Sequence, residues 1–459
     1  MSIVLGAFFN LNPNGLVGTS WRHPSNTSLE YLTIDYWTDI ARELESGGFD
    51  IMFFADNYGY PTDREGNLIA RAVTDATHFP MGDPITLVSA VAAATTTLGV
   101  VVTSSTTVER APAVARRYGT LDHLTRGRIG WNIVTGAAQA AVGDLFGEEP
   151  LPHDARYEQA EEHLAVCLRL WEQSWEAGAL REDKAASVFA DGDAVHRVEF
   201  EGRYVRTRGA FPLPPSPQRT PFLVQAGTSE AGKNFAAKYA ELVFVAGVDA
   251  PTIAGHVTDL RARAVENGRP ADGIKMLAGA YFVLDSDDEG ARAKYQDMMS
   301  YTNIEQAATY FAWATGIDLA GYPLDEPMPD LGTNEGQSIL AGFQNLAEGR
   351  NATPREILER IRDQGINGMV FVGGPETVAD EVEKFLDETE IDGFLLQPFI
   401  SPQTYRDFIE HLVPMLRSRG IMSEEKEPTT LRRKVFPDGG DLLPAEHPGA
   451  QLRARVRQA

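Results

Sequence analysis

The sequence predicts an α/β fold, a TIM (β/α)8 barrel with insertions. Short β-rich runs alternate with helical patterns, and these runs are continuously apolar, as parallel strands covered on both faces must be. Several runs end in polar or glycine residues, and the carboxyl ends of the strands are where such barrels bind ligands. A chain of 459 residues with 43% apolar content is sufficient for one large barrel of this kind.

The first unit of the predicted barrel consists of a strand, a helix and a second strand. An apolar run covers 3–9, apolar residues recur at helical spacing from Ile34 to Leu44, and a second run covers 51–56 after Gly47. Further helices are predicted to begin near Pro84, Pro112 and Asp154. The remaining strands, which bring the count to about eight, are predicted at 98–104, 128–134, 221–227, 241–247, 275–283 and 392–398.

Two long stretches interrupt this alternation. They cover about 177–219, which contains the proline-rich run FPLPPSPQRTP, and about 301–365. We interpret them as insertions on one barrel that spans 1–420, not as separate domains. The remaining segment, 421–459, is polar and carries charges of both signs, so it is either a flexible end or an arm packed on a partner subunit.

Composition excludes several classes of protein. The chain has 41 basic and 65 acidic residues, and its formal charge of −24 repels phosphate backbones and anionic lipids, so we expect neither nucleic acid nor a membrane as a partner. The amino terminus resembles no signal peptide, and no run of about 18 apolar residues occurs, which predicts a cytoplasmic protein. The single cysteine, Cys167, lies on the apolar stripe of a helical stretch and is predicted to be a core residue.

Polar residues stand at the ends of five predicted strands. Each of them alone could be structural, because Asp and Asn commonly cap the following helix. In a barrel, however, all of these strand ends converge on one mouth. We therefore predict a ligand site formed by Asn10, Asp56-Asn57-Tyr58, Thr103-Ser104, Asn132 with Thr135-Gly136, and residues 225–229.

The stretch GTSEAGKN, residues 227–234, is similar to a phosphate-binding loop. It follows a strand and opens a helix, but Asn234 replaces the hydroxyl that would bind magnesium, and the next strand lacks the usual aspartate, so we reject an NTPase. Gly227 still lets the backbone approach a ligand, and the hydroxyl groups of Thr228 and Ser229 stand at a helix start, which favours a phosphate site. The alternative is that Thr228 or Ser229 is only an N-cap.

The stretch HDARY, 153–157, opens the preceding helix. His153, Arg156 and Tyr157 could reach a phosphate; alternatively, Asp154 is an N-cap and Tyr157 is part of the core. No G-x-S-x-G, no G-x-G-x-x-G after a strand and no H-E-x-x-H occurs, so nucleophile-elbow and dinucleotide sites are rejected and no metal is predicted.

Several long motifs, in order along nearly the whole chain, resemble the bacterial-luciferase-like flavin monooxygenases. The branch they resemble includes nitrilotriacetate, pristinamycin, dibenzothiophene-sulfone and long-chain alkane monooxygenases. The motifs are WRHP at 21–24, FFADN at 53–57, TLDHLTRGRIGWNIVT at 120–135, HDARYEQAEEHL at 153–164, SPQRTPFLVQAGTSEAG at 216–232 and IDGFLLQP at 391–398.

This resemblance implies a TIM barrel that uses reduced FMN from a separate NAD(P)H:flavin reductase, with O2 as co-substrate, and that forms a homodimer or homotetramer. A flavin C4a-peroxide would oxygenate a small organic substrate. Asp56, Thr103 and Gly136 should then lie near the isoalloxazine ring. The ribityl phosphate should be held by His153, Tyr157 and the turn Ala226-Gly227-Thr228-Ser229.

The sequence departs from some of these relatives near the substrate. They carry a histidine after the stretch that ends at Thr135, or in the loop after the first strand, whereas this chain has Ala137 and NLNPNGLVG at 10–18. The catalytic acid or base is therefore unassigned. Two alternatives remain open: a deazaflavin (F420)-dependent oxidoreductase on the same barrel, and a flavin-binding paralogue without turnover. Aromatic pocket candidates favour a hydrophobic or aromatic substrate; they are Phe8, Phe9, Tyr58, Tyr60 and Trp313.

Overall fold

The computed structural model describes residues 2–14, 20–227, 229–247, 249–334, 336–337, 340, 350–364, 368–423 and 427–456. Eight parallel strands close into a barrel, and five more lie outside it. The strands in chain order are β1 Val4–Asn10, β2 Ile51–Ala55, β3 Gly99–Ser105, β4 Ile129–Val134, β5 Leu180–Asp183, β6 Val188–Ala190, β7 Arg197–Glu201, β8 Arg206–Ala210, β9 Phe222–Gln225, β10 Leu242–Val245, β11 Lys275–Leu284, β12 Met369–Gly373 and β13 Gly393–Leu396.

The barrel strands follow the order β1, β2, β3, β4, β9, β10, β11 and β13. Parallel pairing of β13 with β1, for example Leu396 with Ala7, closes the ring. The pairing of β10 with β11 joins the two halves of the sheet. Each of the eight predicted apolar runs forms one of these strands, so the predicted TIM barrel is confirmed.

Helices cover the outside of the barrel and bury one face each. In the first helix, for example, Trp37, Ile40 and Leu44 are buried, as their helical spacing predicts. The helices are α1 Ile34–Ser46, α2 Ala70–Thr74, α3 Val88–Ala94, α4 Ala111–Leu124, α5 Gln139–Phe146, α6 His153–Glu172, α7 Glu230–Tyr239, α8 Ala250–Glu266, α9 Asp288–Met299, α10 Ile304–Thr315, α11 Pro354–Gln364, α12 Pro375–Thr389, α13 Gln403–Asp407, α14 Val413–Ser418, α15 Leu431–Val435 and α16 Pro448–Val456.

Strand β12 is an addition that the sequence pattern does not predict. It pairs in parallel with the second half of β11, from Ala280 to Leu284. The first half of β11 pairs with β10 and β13 inside the barrel. The ten residues of β11 are therefore long enough to serve both the barrel and this extra strand.

The two predicted insertions have different structures. Residues 177–219 contain the antiparallel hairpins β5–β6 and β7–β8, and Val198 of β7 is buried in the main core. The described part of 301–365 contains α10 and α11, which form a small core of their own around Phe311, Ile357 and Ile361. Cys167 is buried in the main core as predicted, and burial raises the pKa of its thiol.

The described chain beyond residue 420 packs on the amino-terminal end of the barrel. Leu431 is fully buried in the same apolar cluster as Val4, Ile51 and Val101 inside the barrel. An ideal Cβ at Gly99, the first residue of β3, would lie 2.7 Å from a Leu431 methyl group. This part of the tail therefore closes the base of the barrel.

A buried ion pair holds the tail in this position. Arg432 Nε lies 2.6 Å from a carboxylate oxygen of Glu241, which precedes β10, and both side chains are almost fully buried. The Arg432 guanidinium also donates to the carbonyl oxygens of Thr220 and Asp441. A buried charge is tolerated because it is both paired and hydrogen-bonded. Among the residues that the structure describes, no helix combines the length and the apolar character needed to cross a bilayer.

Candidate active site

Thr103 and Asn132 form a polar surface inside the upper barrel. They are register partners on β3 and β4, and both are buried, with 5% and 3% of their surface exposed. The Thr103 hydroxyl donates to the carbonyl oxygen of Phe54 at 2.8 Å. The Nδ2 amide of Asn132 in turn donates to Thr103 Oγ1 at 2.8 Å. These two bonds fix the orientation of both side chains.

Asp56 follows β2 directly and has an unusual environment for a carboxyl group. Burial is the largest cause that raises the pKa of Asp56 to about 7, and the negative charges of Asp83 and Glu109 add to it. Glu109 itself accepts a hydrogen bond from Ser104 and pairs with Arg117. Asp56 therefore changes its charge near neutral pH, whereas an ordinary carboxyl group is ionised there.

Gly136 lies in the turn after β4. Its φ is +83°, and an ideal Cβ there would lie 2.5 Å from Nε2 of Gln139. Ala138 is also left-handed, with φ +48°. The chain can therefore leave β4 sharply and begin α5 at Gln139, which keeps Gly136 at the barrel mouth.

A group of polar side chains meets where β4, β9, α6 and α7 come together. The Tyr157 hydroxyl is hydrogen-bonded with the side chains of Ser229, Thr135 and Gln225, and burial raises its pKa against the opposing effect of these bonds. Ser229 caps α7, because its Oγ accepts the N–H of Gly232 at 3.1 Å. We call Thr135, Tyr157, Gln225 and Ser229 the hydroxyl cradle.

Glycines keep the hydroxyl cradle open. An ideal Cβ on Gly227 or Gly232 would lie 2.9 or 2.8 Å from Tyr157 Oη, so only glycine leaves room beside this hydroxyl. The N–H of Gly227 donates to Gln225 Oε1 at 2.8 Å. Ala226 is exposed next to it. Thr228, which was predicted to belong to this turn, lies outside the described residues.

His153 is the first residue of α6 and lies close to the hydroxyl cradle. Its ring centroid is 5.3 Å from that of Tyr157, and its Nδ1 is 2.8 Å from Asp154. Pro152, not Asp154, occupies the N-cap position of this helix. Tyr157 is packed against the main core but keeps its hydroxyl in the cradle, so both parts of the sequence alternative apply to it.

The second insertion reaches across to this helix through Asn334. Its side-chain oxygen accepts the backbone N–H of His153 at 2.7 Å, and its Nδ2 donates to the Leu151 carbonyl at 3.2 Å. Its carbonyl oxygen accepts a hydrogen bond from Nη2 of the buried Arg156 at 2.6 Å. The insertion is thus fastened to the start of α6.

On the opposite side the insertion packs on the connection that follows β2. The ring of His78 stacks on Trp313, with centroids 3.7 Å apart and planes 5° apart, and on Tyr310 at 5.1 Å. Burial lowers the pKa of His78 to about 3, so its ring is neutral. Arg64 also donates to the carbonyl oxygen of Asp318. The insertion therefore spans the barrel mouth from the β2 side to α6.

One predicted pocket residue is wrong. Phe9 is 3% exposed and packs outside the barrel wall against Trp37 and Tyr405, with ring centroids 5.5 and 4.8 Å away. Phe8 faces the interior, where it stacks on Phe53. Successive residues of a strand point to opposite faces, so Phe8 and Phe9 cannot both line the same pocket.

Comparison with known proteins identifies the family. A family model described as luciferase-like monooxygenase matches residues 15–393. The chain belongs to the luciferase-like monooxygenase family. It is therefore a flavin-dependent monooxygenase, and the family expected from the motifs is confirmed. The expected branch is also represented among its relatives, which include dibenzothiophene-sulfone and nitrilotriacetate monooxygenases and a component of pristinamycin IIA synthase.

Individual luciferase-like relatives match over nearly the full length. Dimethyl-sulfide monooxygenase of Hyphomicrobium sulfonivorans is 39% identical over 454 residues, 98% of this chain and 94% of that protein. Long-chain alkane monooxygenase of Geobacillus thermodenitrificans is 38% identical and is covered to 94%, as is this chain. A crystal structure of a riboflavin lyase with modified FMN and riboflavin has a TM-score of 0.94 and 37% identity, covering 99% of this chain and 100% of that one.

The sequence does not reveal every residue of this luciferase-like site. Asn334 is 181 positions from His153, and His78 lies in a polar connection, so neither has a local pattern that marks it. Glu109 and Asp83, which act on Asp56 through charge, are equally unmarked. In the described ranges, no group of three or more His, Cys, Asp or Glu side chains is arranged to hold a metal ion.

Proposed function

We propose that this monooxygenase binds reduced FMN at the barrel mouth and uses O2 to oxygenate a small organic substrate. The observation that carries the proposal is the hydroxyl cradle, in which Tyr157 and Ser229 face a space kept open by Gly227 and Gly232. A helix amino terminus with adjacent hydroxyl groups favours a dianionic phosphate. The phosphate end of FMN has these properties.

The residues around the cradle fit the rest of the cofactor. His153 and the buried cation Arg156 stand on the same helix as Tyr157 and supply positive or polar groups near a phosphate. Asp56, Thr103 and Gly136 lie at the ends of the neighbouring strands β2, β3 and β4, where the ring system would lie. We therefore assign cofactor contacts to Asp56, Thr103, Gly136, His153, Tyr157, Ala226, Gly227 and Ser229.

When bound, reduced FMN activates O2 and delivers one oxygen atom to the substrate, while the other leaves as water. The chain itself binds, orients and excludes water. The insertion that spans the mouth covers the site, with Trp313 and Asn334 at its two contacts. Because its pKa is near 7, the Asp56 carboxyl is suited to hold and release a proton at neutral pH.

A separate flavin reductase would supply the reduced cofactor, because we assign no nicotinamide site to the chain. The protein would act in the cytoplasm as a homodimer or homotetramer. Aromatic rings near the mouth, Tyr58, Tyr60 and Trp313, favour a hydrophobic or aromatic substrate. Relatives are named for dimethyl sulfide, a long-chain alkane and riboflavin, so these three compounds form the first substrate panel.

Anaerobic titration tests the cofactor assignment. Reduced FMN should bind at least about tenfold more tightly than reduced riboflavin, because only FMN carries the phosphate. Tyr157→Phe should reduce this preference, since it removes one hydroxyl of the cradle. Equal affinities for the two flavins in the unmodified protein would contradict the phosphate site.

Oxygen uptake tests the reaction. With chemically reduced FMN, a monooxygenase should couple O2 consumption to product formation from at least one member of the substrate panel. A deazaflavin-dependent oxidoreductase would instead transfer hydride without O2, and a binding paralogue would hold FMN without any product. Mass spectrometry with 18O2 should find one labelled oxygen atom in the organic product.

A further inference from the structure

Asn132 has a buried polar atom that none of the assigned contacts uses. Its side-chain oxygen, Oδ1, is inaccessible to solvent and receives no hydrogen bond from the part of the chain that the structure describes. A buried acceptor that lacks a partner costs about 1–3 kcal/mol of desolvation. Such an atom in a ligand site indicates a donor that arrives with the ligand.

The orientation of the Asn132 amide follows from its neighbour. A threonine hydroxyl has one proton, and that of Thr103 is donated to the carbonyl oxygen of Phe54. Thr103 Oγ1 can therefore only accept from Asn132, which must turn its NH2 group toward Thr103. The other end of the amide, which faces away from Thr103, is the oxygen. The site thus offers an acceptor and not a donor.

The strand pattern places this oxygen on the inner face of the barrel. Gly130, two residues earlier on β4, faces the interior, because an ideal Cβ there would lie 2.9 Å from Val101 and 3.3 Å from Leu431. Asn132 shares that face, since side chains alternate along a strand. Its register partner on β9 is the buried Val224, one residue before Gln225 of the hydroxyl cradle.

We infer that Asn132 is a further cofactor-positioning residue, whose carboxamide oxygen accepts a hydrogen bond from a ring N–H of the bound reduced flavin. The inference rests on the proposed function, because it requires flavin at the mouth. The ring offers two such donors: N3–H is present in both oxidation states, and N5–H is present only in the reduced flavin. An acceptor facing N5–H would favour the reduced cofactor, since oxidised N5 is itself an acceptor.

The test compares Asn132→Leu, which keeps the approximate size but removes the oxygen, with Asn267→Ala, a substitution at the exposed end of α8. Anaerobic titrations measure the affinity of each protein for reduced and oxidised FMN. Asn132→Leu should bind reduced FMN about tenfold or more weakly, as expected for one lost hydrogen bond in a buried site. The Asn267→Ala control should match the unmodified protein.

The two donors give different results. If N5–H is the donor, only the reduced affinity falls, and the midpoint potential of the bound flavin becomes more negative. If N3–H is the donor, both affinities fall together, and 3-methyl-FMN binds the unmodified protein weakly but binds Asn132→Leu no worse than FMN does. Either result supports the inference.

Thr103→Val provides a second variant in case Asn132→Leu fails to fold. It removes the hydroxyl that orients the amide, so it should weaken the same flavin form as Asn132→Leu, by a smaller factor. Unchanged FMN affinities in a folded Asn132→Leu protein would overturn the inference, as would a loss of substrate affinity alone. If the unmodified protein binds no FMN, the proposed function fails instead.

Discussion

Asp56→Asn should make the flavin-free protein more stable at alkaline pH. In the folded chain the pKa of Asp56 is raised from 3.8 to about 7, first by burial and then by Asp83 and Glu109. The folded protein therefore binds this proton more tightly than the unfolded chain does, and raising the pH from about 4 to about 7 removes stability. Above pH 7 the full penalty of the buried charge is present, and an asparagine avoids it.

The pKa shift sets the size of the effect. A shift of about three units corresponds to at most about 4 kcal/mol at pH 8, since each unit is worth about 1.4 kcal/mol. The gain from Asp56→Asn falls to about 1.5 kcal/mol at pH 5, because the folded carboxyl is then mostly protonated. For a chain of 459 residues the unfolding entropy is about 1 kcal/mol per kelvin, so the melting temperature should rise by up to about 4 °C at pH 8.

Thermal unfolding of the flavin-free protein at pH 5 and pH 8 measures this difference. Asp272→Asn is the matched control, because Asp272 is an exposed carboxyl group far from the mouth, and its melting temperature should follow the unmodified protein at both pH values. A change in melting temperature of Asp56→Asn that is the same at both pH values, or a decrease at pH 8, would refute the buried-charge argument.

Three further substitutions test other parts of the molecule. Gly227→Ala should weaken FMN binding about tenfold or more, because the added methyl group would crowd Tyr157, whereas Gly255→Ala, in open space on α8, should bind FMN normally in the same titration; equal losses would contradict the cradle. Glu45→Gln should cost about 1 kcal/mol at pH 7 and little at pH 3 in urea unfolding: although burial opposes it, the N–H groups that follow α3 lower the pKa of this carboxylate, so its stabilisation disappears as the pH falls, and a loss independent of pH would count against this role. Leu431→Ala should cost about 3 kcal/mol of stability while FMN affinity stays unchanged, since the cavity would open at the far end of the barrel; a parallel loss of affinity would argue otherwise.

The barrel could be predicted from the sequence because its signal is local. Each parallel strand is a short apolar run, and each helix has its own periodicity, so β1 to β4 and their helices were visible without any knowledge of pairing. Strand β12 was not, because Met369–Gly373 is short and depends on the unusual length of β11 for a partner. A strand defined by its neighbour has little pattern of its own.

The candidate site was predictable only in part, for a similar reason. Strand ends such as Asp56 and Thr103 can be located from the barrel pattern, and the motif around Ser229 indicates a phosphate. The raised pKa of Asp56 could not be foreseen, since it comes from burial and from charges on other loops. Nor could Asn334, whose partners lie far away in the chain. The error at Phe9 was avoidable, because strand alternation alone separates it from Phe8.

The position of Leu431 has a consequence for how the protein is made. This residue belongs to the interior of a barrel whose first strand begins at Val4, yet it is encoded near the end of the chain. While the last residues are still inside the ribosome, the emerging barrel has an open base with Gly99 and Gly130 uncovered. The finished core therefore forms only after translation is nearly complete, and messages truncated before this codon should yield chains that quality-control proteases remove.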